Sequence, residues 1–334
     1  LSVFHGGNLA GATEKFGQPK DGWLDLSTGI NPNPYPVPTL SNDVWGRLPD
    51  HDLVVALKKA AAHYYGVGDE SCVIPVSGTQ TLLQILPHLF VKPSKVRILE
   101  PTYKEHAHCW ALAGHDVAGV KTLEEAEAQA DIIIVVNPNN PTGAIYDGAA
   151  LAALAARMFA KGGLLIVDGA FSDCTQQADI SAHAGKPGLL ILRSFGKFFG
   201  LAGIRLGFVL AQGPLADRLK EGIGPWAVNG PALEIGRQAF LDDKWIGQTQ
   251  SHLLEQAQRL DGVLSAAGLH VEGGTSLFRF CRSMQAQEIY QALGRHGILV
   301  RPFAELPDHL RVGLPGNESE WIRLENSLKT LRCD

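Results

Sequence analysis

Lys197 stands in the run Ser194-Phe195-Gly196-Lys197, with Gly200, Gly203, Arg205 and Gly207 close behind. A primary amine held in a tight, glycine-rich and largely apolar turn is expected to have a lowered pKa, which makes it a usable nucleophile for an aldehyde. A lone lysine is more often a surface residue whose stem lies along apolar surface, so its neighbours in chemistry matter. Ser77-Gly78-Thr79-Gln80 opens a helix, where free backbone N–H groups and two hydroxyls suit a phosphate. An N-cap made by Ser77 or Thr79 is the simpler alternative. Tyr103, in Pro101-Thr102-Tyr103, is placed to stack on a planar ring or to pack. The string Asn137-Pro138-Asn139-Asn140-Pro141-Thr142-Gly143 makes a tight polar turn. Asp168 closes an apolar run, where a carboxylate must meet a cation or donors, or else caps the following turn.

The elements that must carry these residues are short apolar runs alternating with helical stretches. Candidate strands are Val73–Val76, Lys95–Glu100, Asp131–Val136, Leu164–Asp168, Leu189–Arg193 and Leu206–Leu210, nearly continuous in apolar character as in strands buried on both faces. Helical spacing runs from Leu53 to Tyr65, with Gly66 as a stop, and again over Thr79–Phe90 and Gly148–Lys161. The alternation predicts an α/β domain with a mostly parallel sheet. Beyond about Pro214 helices dominate (Ala232–Asp242, Trp245–Ala267, Ala286–His296, Glu318–Leu331), interrupted by strand-like His270–Cys281, Ile298–Pro302 and Leu310–Val312. A second, smaller α+β domain is expected there. The proline-rich segment Asn31–Pro38 is expected to be extended. The expected division is thus an N-terminal arm over 1–40, a large domain over 41–213 and a small domain over 214–334.

In open α/β sheets ligands bind beyond the carboxyl ends of the strands. The phosphate cradle, the aromatic, the polar Asn turn, the Asp and the lysine each follow a successive strand. Together they meet the needs of a phosphate, a ring face, a phenolic oxygen, a ring nitrogen and an aldehyde. Pyridoxal 5′-phosphate has those five features, and its usual protein partners include a Schiff-base lysine and an Asp on the pyridinium nitrogen.

Ser77-Gly78-Thr79, the Asn137–Gly143 string, Asp168-Gly169-Ala170-Phe171 and the Ser194–Gly207 run resemble the fold-type I pyridoxal-phosphate enzymes, the class I/II aminotransferase family. The resemblance implies a PLP-dependent transferase-like fold of the aspartate aminotransferase type and a homodimer with active sites at the subunit interface. It implies Lys197 as Schiff base and proton shuttle, Asp168 on the ring nitrogen, Asn140 on the ring oxygen and Tyr103 on the ring face. Ser77, Gly78, Thr79, Ser194 and Arg205 would hold the phosphate. Arg311 is similar to the family's arginine for the substrate carboxylate, a role suited to its planar fork.

At the N-terminus, His5-Gly6-Gly7-Asn8 and Leu24–Pro32 resemble the threonine-phosphate decarboxylase branch of cobalamin biosynthesis. That branch converts L-threonine O-3-phosphate to (R)-1-amino-2-propanol O-2-phosphate. Substrate contacts are then expected from His5, Asn8, Asn31, Arg301 and Arg311. Bland alternatives are an arm turn for His5–Asn8 and an exposed strand-end residue for Arg301. Two departures stand out: Phe171 replaces the tyrosine usual in aminotransferases, and Leu48 replaces a tyrosine that reaches the neighbour's cofactor phosphate. With Phe171 the ring oxygen keeps Asn140 as its main partner. The reaction depends on which bond lies perpendicular to the ring: Cα–carboxylate for decarboxylation, Cα–H for transamination. After CO2 leaves, Lys197 would return the proton.

A histidinol-phosphate-type aminotransferase is the competing reading, and a non-catalytic binding protein of the same fold the next. The intact Lys197, Asp168 and Asn140 set speaks against the latter. Nucleotide binding has less support, since no P-loop lysine and no dinucleotide glycine motif is present. The chain has 334 residues, a net charge of −5 and no dense basic run, which gives nucleic-acid binding little support. Five scattered cysteines suggest neither a disulfide framework nor a metal site, and a reducing cytoplasm is the expected compartment. No apolar run is long enough for a bilayer, so no membrane partner is expected.

Overall fold

The computed structural model describes residues 6–330. The chain divides into two compact units. One comprises Pro34–Asn140 and Ala144–Ile246; the other comprises the chain up to Asn33, Pro141–Gly143 and the chain from Gly247 onward.

The larger unit is built on a seven-stranded sheet. In spatial order its strands are Val73–Val76, Gly207–Leu210, Leu189–Ser194, Leu164–Asp168, Ile132–Val136, Lys95–Leu99 and Asp116–Val120. Gly207–Leu210 is antiparallel to both of its neighbours. Every other pairing is parallel. Ile132–Val136 is buried along its whole length, which explains its unbroken β-branched sequence. Leu82, Leu83, Trp110 and Leu219 cover one face.

Local chemistry sets the ends of the helices. His51–Tyr65 begins at Asp50, whose carboxylate accepts from the Asp52 N–H, and stops at Gly66 in the left-handed region. The segment expected as one helix over Thr79–Phe90 is an α-helix over Thr79–Ile85 followed by a 3-10 turn over Leu86–Leu89. Pro87 lacks the N–H that would continue the ladder. The strand Asp116–Val120 has no counterpart in the sequence reading. It is a half-exposed edge strand with an acidic start and an internal glycine, and so lacks the apolar run of its neighbours.

The second unit holds an antiparallel four-stranded sheet ordered Arg301–Pro302, His309–Gly313, Phe278–Arg282 and His270–Thr275. The stretch His270–Cys281 is therefore two strands of a hairpin turning at Ser276-Leu277. Leu24–Asp25 pairs in parallel with Ile298–Leu299, which attaches the N-terminal segment to this unit. No helix among the described residues is long and apolar enough to cross a membrane.

Candidate active site

Six of the seven strands run in one direction and end at one edge of the large sheet. Gly207–Leu210 runs the other way, so its beginning lies at that same edge. Gly207 is registered against Val76 on one side and Ser194 on the other. Ser77, Arg205 and Ser194 are thereby brought together from positions far apart in sequence.

The turn after Val76 is built for close approach. Gly78 occupies the cap position with φ +78°, and neither Ser77 nor Thr79 caps the helix with its side chain. A Cβ on Gly78 would lie 2.7 Å from Arg205 Nη2, and one on Gly207 would lie 2.8 Å from the Thr79 nitrogen. Glycine at both positions lets a guanidinium and the first N–H groups of a helix converge, an arrangement that suits an anion. Arg205 has φ +57° and donates Nη1–H to the Ala202 carbonyl at 3.1 Å. The Ser77 hydroxyl donates to the Ala227 carbonyl.

Asp168 is buried at the end of its strand. Oδ1 accepts from the Ala170 N–H at 3.0 Å, and Oδ2 lies 2.9 Å from His106 Nε2. The carboxylate therefore does both jobs weighed from sequence: it caps the turn and faces a buried polar partner. A carboxylate offers about four lone-pair directions, so a further donor can be accepted. His106 was missed by sequence reasoning. It lies three residues after Tyr103 on the helix Lys104–Leu112, on the same helical face, and the rings meet edge-on with centroids 6.1 Å apart. That spacing was the available signal. The Tyr103 hydroxyl donates to Gln80 Oε1 at 3.2 Å.

Lys197 sits in the short helix Phe195–Phe198, half-buried, with its flanking Phe195, Phe198 and Phe199 fully buried. Phe195 and Phe199 stack at 4.3 Å between centroids, and Phe199 stacks on Trp245 at 5.6 Å. These stacked rings anchor the turn that bears the amine. Lys197 Nζ lies 5.7 Å from the centre of the Phe171 ring. Arg193, buried just before Ser194, pairs with Asp173, with Asp179 at 2.8 Å and with Ser181 Oγ at 3.0 Å. This network ties the segment after Asp168 to the strand before Lys197. Burial pushes the Asp173 carboxyl above its usual range, with the Arg193 charge pulling the other way.

The three asparagines of the polar turn divide by use. Asn137 binds the Tyr146 N–H and the Tyr146 and Ala178 carbonyls; Asn139 accepts from Thr102 Oγ1 at 2.7 Å and donates to the Pro101 carbonyl. Both side chains hold the loop. Asn140 follows them, half-buried.

The remaining candidates belong to the other unit. His5 lies outside the described residues. Asn8 is the cap of the helix Leu9–Phe16, with Oδ1 accepting from the Gly11 N–H at 3.0 Å. Asn31 is buried and its Oδ1 accepts from the Asn33 N–H at 2.9 Å. Arg311 is buried, donates Nη2–H to the Ser27 carbonyl at 2.5 Å, and stands opposite half-buried Arg301 in the neighbouring strand. Leu48, in the position of the neighbour-reaching tyrosine, is 66% exposed. No cluster of metal-ligating side chains is found among the described residues.

A mostly parallel sheet carrying a lysine, a buried carboxylate, an aromatic and an anion cradle along one edge defines the class: the PLP-dependent transferase-like fold of the aspartate aminotransferase type. The chain belongs to the aminotransferase class I and II family, whose profile matches residues 22–324. It is 43% identical over 329 residues to a threonine-phosphate decarboxylase of Pseudomonas aeruginosa, covering 97% of this chain and 96% of that one. A threonine-phosphate decarboxylase of a Sinorhizobium species is 42% identical over 327 residues, covering 98% and 97%. Among solved structures, the histidinol-phosphate aminotransferase of Sinorhizobium meliloti in complex with pyridoxal-5′-phosphate superposes with a TM-score of 0.81 at 19% identity, covering 99% and 96%. At that identity the likeness concerns the fold.

Proposed function

We propose that this chain uses pyridoxal 5′-phosphate to decarboxylate L-threonine O-3-phosphate, giving (R)-1-amino-2-propanol O-2-phosphate for cobalamin biosynthesis. The observation that carries the reading is the 43% identity, over nearly the whole of both chains, to a relative named for that reaction. The glycine-lined cradle of Gly78, Gly207 and Arg205 fits the cofactor phosphate, and the buried Asp168 fits its ring nitrogen.

In this reading Lys197 is the covalent anchor. Ser77, Gly78, Thr79, Ser194 and Arg205 take the phosphate, Asn140 the ring oxygen, and Tyr103 one ring face. Pyridoxal phosphate, held by these residues, would supply the electron sink needed to break the Cα–carboxylate bond. The chain's own part is to orient and to move one proton. Asp168 would accept a ring N–H, with His106 Nε2 on its other oxygen. The Lys197 amine would hold the proton to be returned to Cα. Phe171 gives the ring oxygen no donor, so Asn140 is its main partner there.

Arg301 and Arg311 supply two cations on one sheet face, matched to a substrate with a carboxylate and a phosphate. His5, Asn8 and Asn31 complete the substrate contacts, with residues 1–40 as a closing arm, 41–213 as the cofactor-binding part and 214–334 as the smaller part. The reading includes a homodimer and a cytoplasmic location.

The test is incubation with pyridoxal phosphate and L-threonine O-3-phosphate, following CO2 and the amine. CO2 release without a keto-acid acceptor, abolished in Lys197→Ala, is the expected result. Amine transfer from histidinol phosphate to 2-oxoglutarate without CO2 would replace this reading by the aminotransferase.

A further inference from the structure

We infer that Gln80 is a positioning residue that holds Tyr103 through a half-buried chain of hydrogen bonds ending on buried Glu105. The inference rests on the reading of this sheet edge as a pyridoxal-phosphate site. Gln80 is the second residue of the helix Thr79–Ile85, which opens at the anion cradle. Tyr103 caps, and Glu105 lies in the first turn of, the helix Lys104–Leu112. Glu105 is 8% exposed, and its Oε2 accepts from Gln80 Nε2 at 2.9 Å. Cys109 Sγ lies 3.8 Å from the same oxygen. The other end of the Gln80 amide, Oε1, is 3.2 Å from the Tyr103 hydroxyl.

The directions in this chain are set by chemistry. Gln80 turns its NH2 toward Glu105, whose carboxyl oxygen accepts. That leaves the amide oxygen toward Tyr103, whose hydroxyl must then donate. Tyr103 is thereby held at its tip as well as at its backbone, which fixes where the ring stands. Because Gln80 sits one residue beyond Thr79, the element that receives the phosphate also sets the aromatic face. Glu105 acts one step further out, by choosing which end of the amide faces the tyrosine. Buried polar chains of this kind hold geometry when every member is satisfied, and lose it when one member is reversed.

The test uses full-length protein loaded with pyridoxal phosphate and reads the visible circular dichroism and affinity of the bound cofactor. Gln80→Glu places two carboxylates together, so one of them takes up a proton more readily than usual. At pH 8 the variant is expected to bind pyridoxal phosphate about tenfold more weakly, with a reduced dichroic signal. Both should recover toward pH 6, where a protonated carboxyl can again donate to one side and accept on the other. The double variant Gln80→Glu/Glu105→Gln keeps the wild-type charge and rebuilds the chain with the roles exchanged, so it should recover most of the affinity and signal at pH 8. A double variant as impaired as Gln80→Glu alone, or a single variant with wild-type signal and affinity at both pH values, overturns the inference. Should Gln80→Glu fail to fold without cofactor, Gln80→Leu takes its place; wild-type affinity and dichroism there also overturn it. Wild-type protein that acquires no visible absorbance with pyridoxal phosphate overturns the cofactor site itself, a result distinct from unchanged variants of a cofactor-bearing enzyme.

Discussion

Arg301 and Arg311 are directly opposite one another in adjacent antiparallel strands, so both guanidinium groups leave the sheet on one face. Like charges so placed repel, and Arg311 is in addition buried. In the proposed function, a substrate with two anionic groups would offset that repulsion. Arg301→Lys and Arg311→Lys each replace a planar fork by a point charge. Each is expected to raise KM for the phosphorylated amino acid by about tenfold or more while leaving pyridoxal-phosphate affinity unchanged. Steady-state kinetics together with cofactor titration checks this; a fall in kcat with constant KM would contradict it.

Gly78 is required twice, by its positive φ and by the approach of Arg205. Gly78→Ala would place a methyl 2.7 Å from Arg205 Nη2, so the guanidinium must withdraw. The expected result is cofactor affinity weakened by about tenfold or more, at a stability cost of about 1 kcal/mol. Equilibrium titration and thermal unfolding separate the two effects.

Arg193 faces two carboxylates, Asp173 and Asp179, and its guanidinium lies over the Tyr65 ring at 4.4 Å. The Tyr64 hydroxyl donates to Asp173 at 3.1 Å. Arg193→Met removes the cation and leaves buried acceptors uncompensated. Destabilisation by about 3 kcal/mol or more is expected in denaturant titration. A loss below about 1 kcal/mol would mean that the network does not hold the loops together.

Burial, with the Glu105 carboxylate adding to it, pushes the Cys109 thiol up to about 11. The neutral thiol therefore persists through the usual working range, and only the thiolate reacts. Alkylation of Cys109 in the native protein is expected to stay slow at pH 8 and to accelerate only as the pH approaches 11. Mass-spectrometric mapping after timed iodoacetamide exposure reads this directly, and rapid labelling at pH 8 would place Cys109 in a different environment.

Much of the sheet edge was legible from the chain alone. Val73–Val76, Ile132–Val136 and Leu164–Asp168 are short apolar runs, and the residues just past them are near the edge whatever the strand order. The break at Pro87 within Thr79–Phe90 was overlooked, whereas Gly66 acts through bonds within a few residues, so that helix stop follows from local chemistry. For the same reason Lys197, Asp168, Tyr103 and the Asn137–Gly143 turn could be listed in order before any coordinates were known.

Tertiary structure alone decided how those residues meet. His106 and Asp168 are 62 positions apart and come within 2.9 Å only because the strand before the helix of His106 and the strand that ends at Asp168 belong to one sheet. The reversal of Gly207–Leu210 brings Arg205 to Gly78, and the register of two short strands sets Arg301 against Arg311. Propensity and periodicity describe each segment by itself. Strand order, direction and register arise from burial shared between distant segments, and these turn a series of plausible residues into a site.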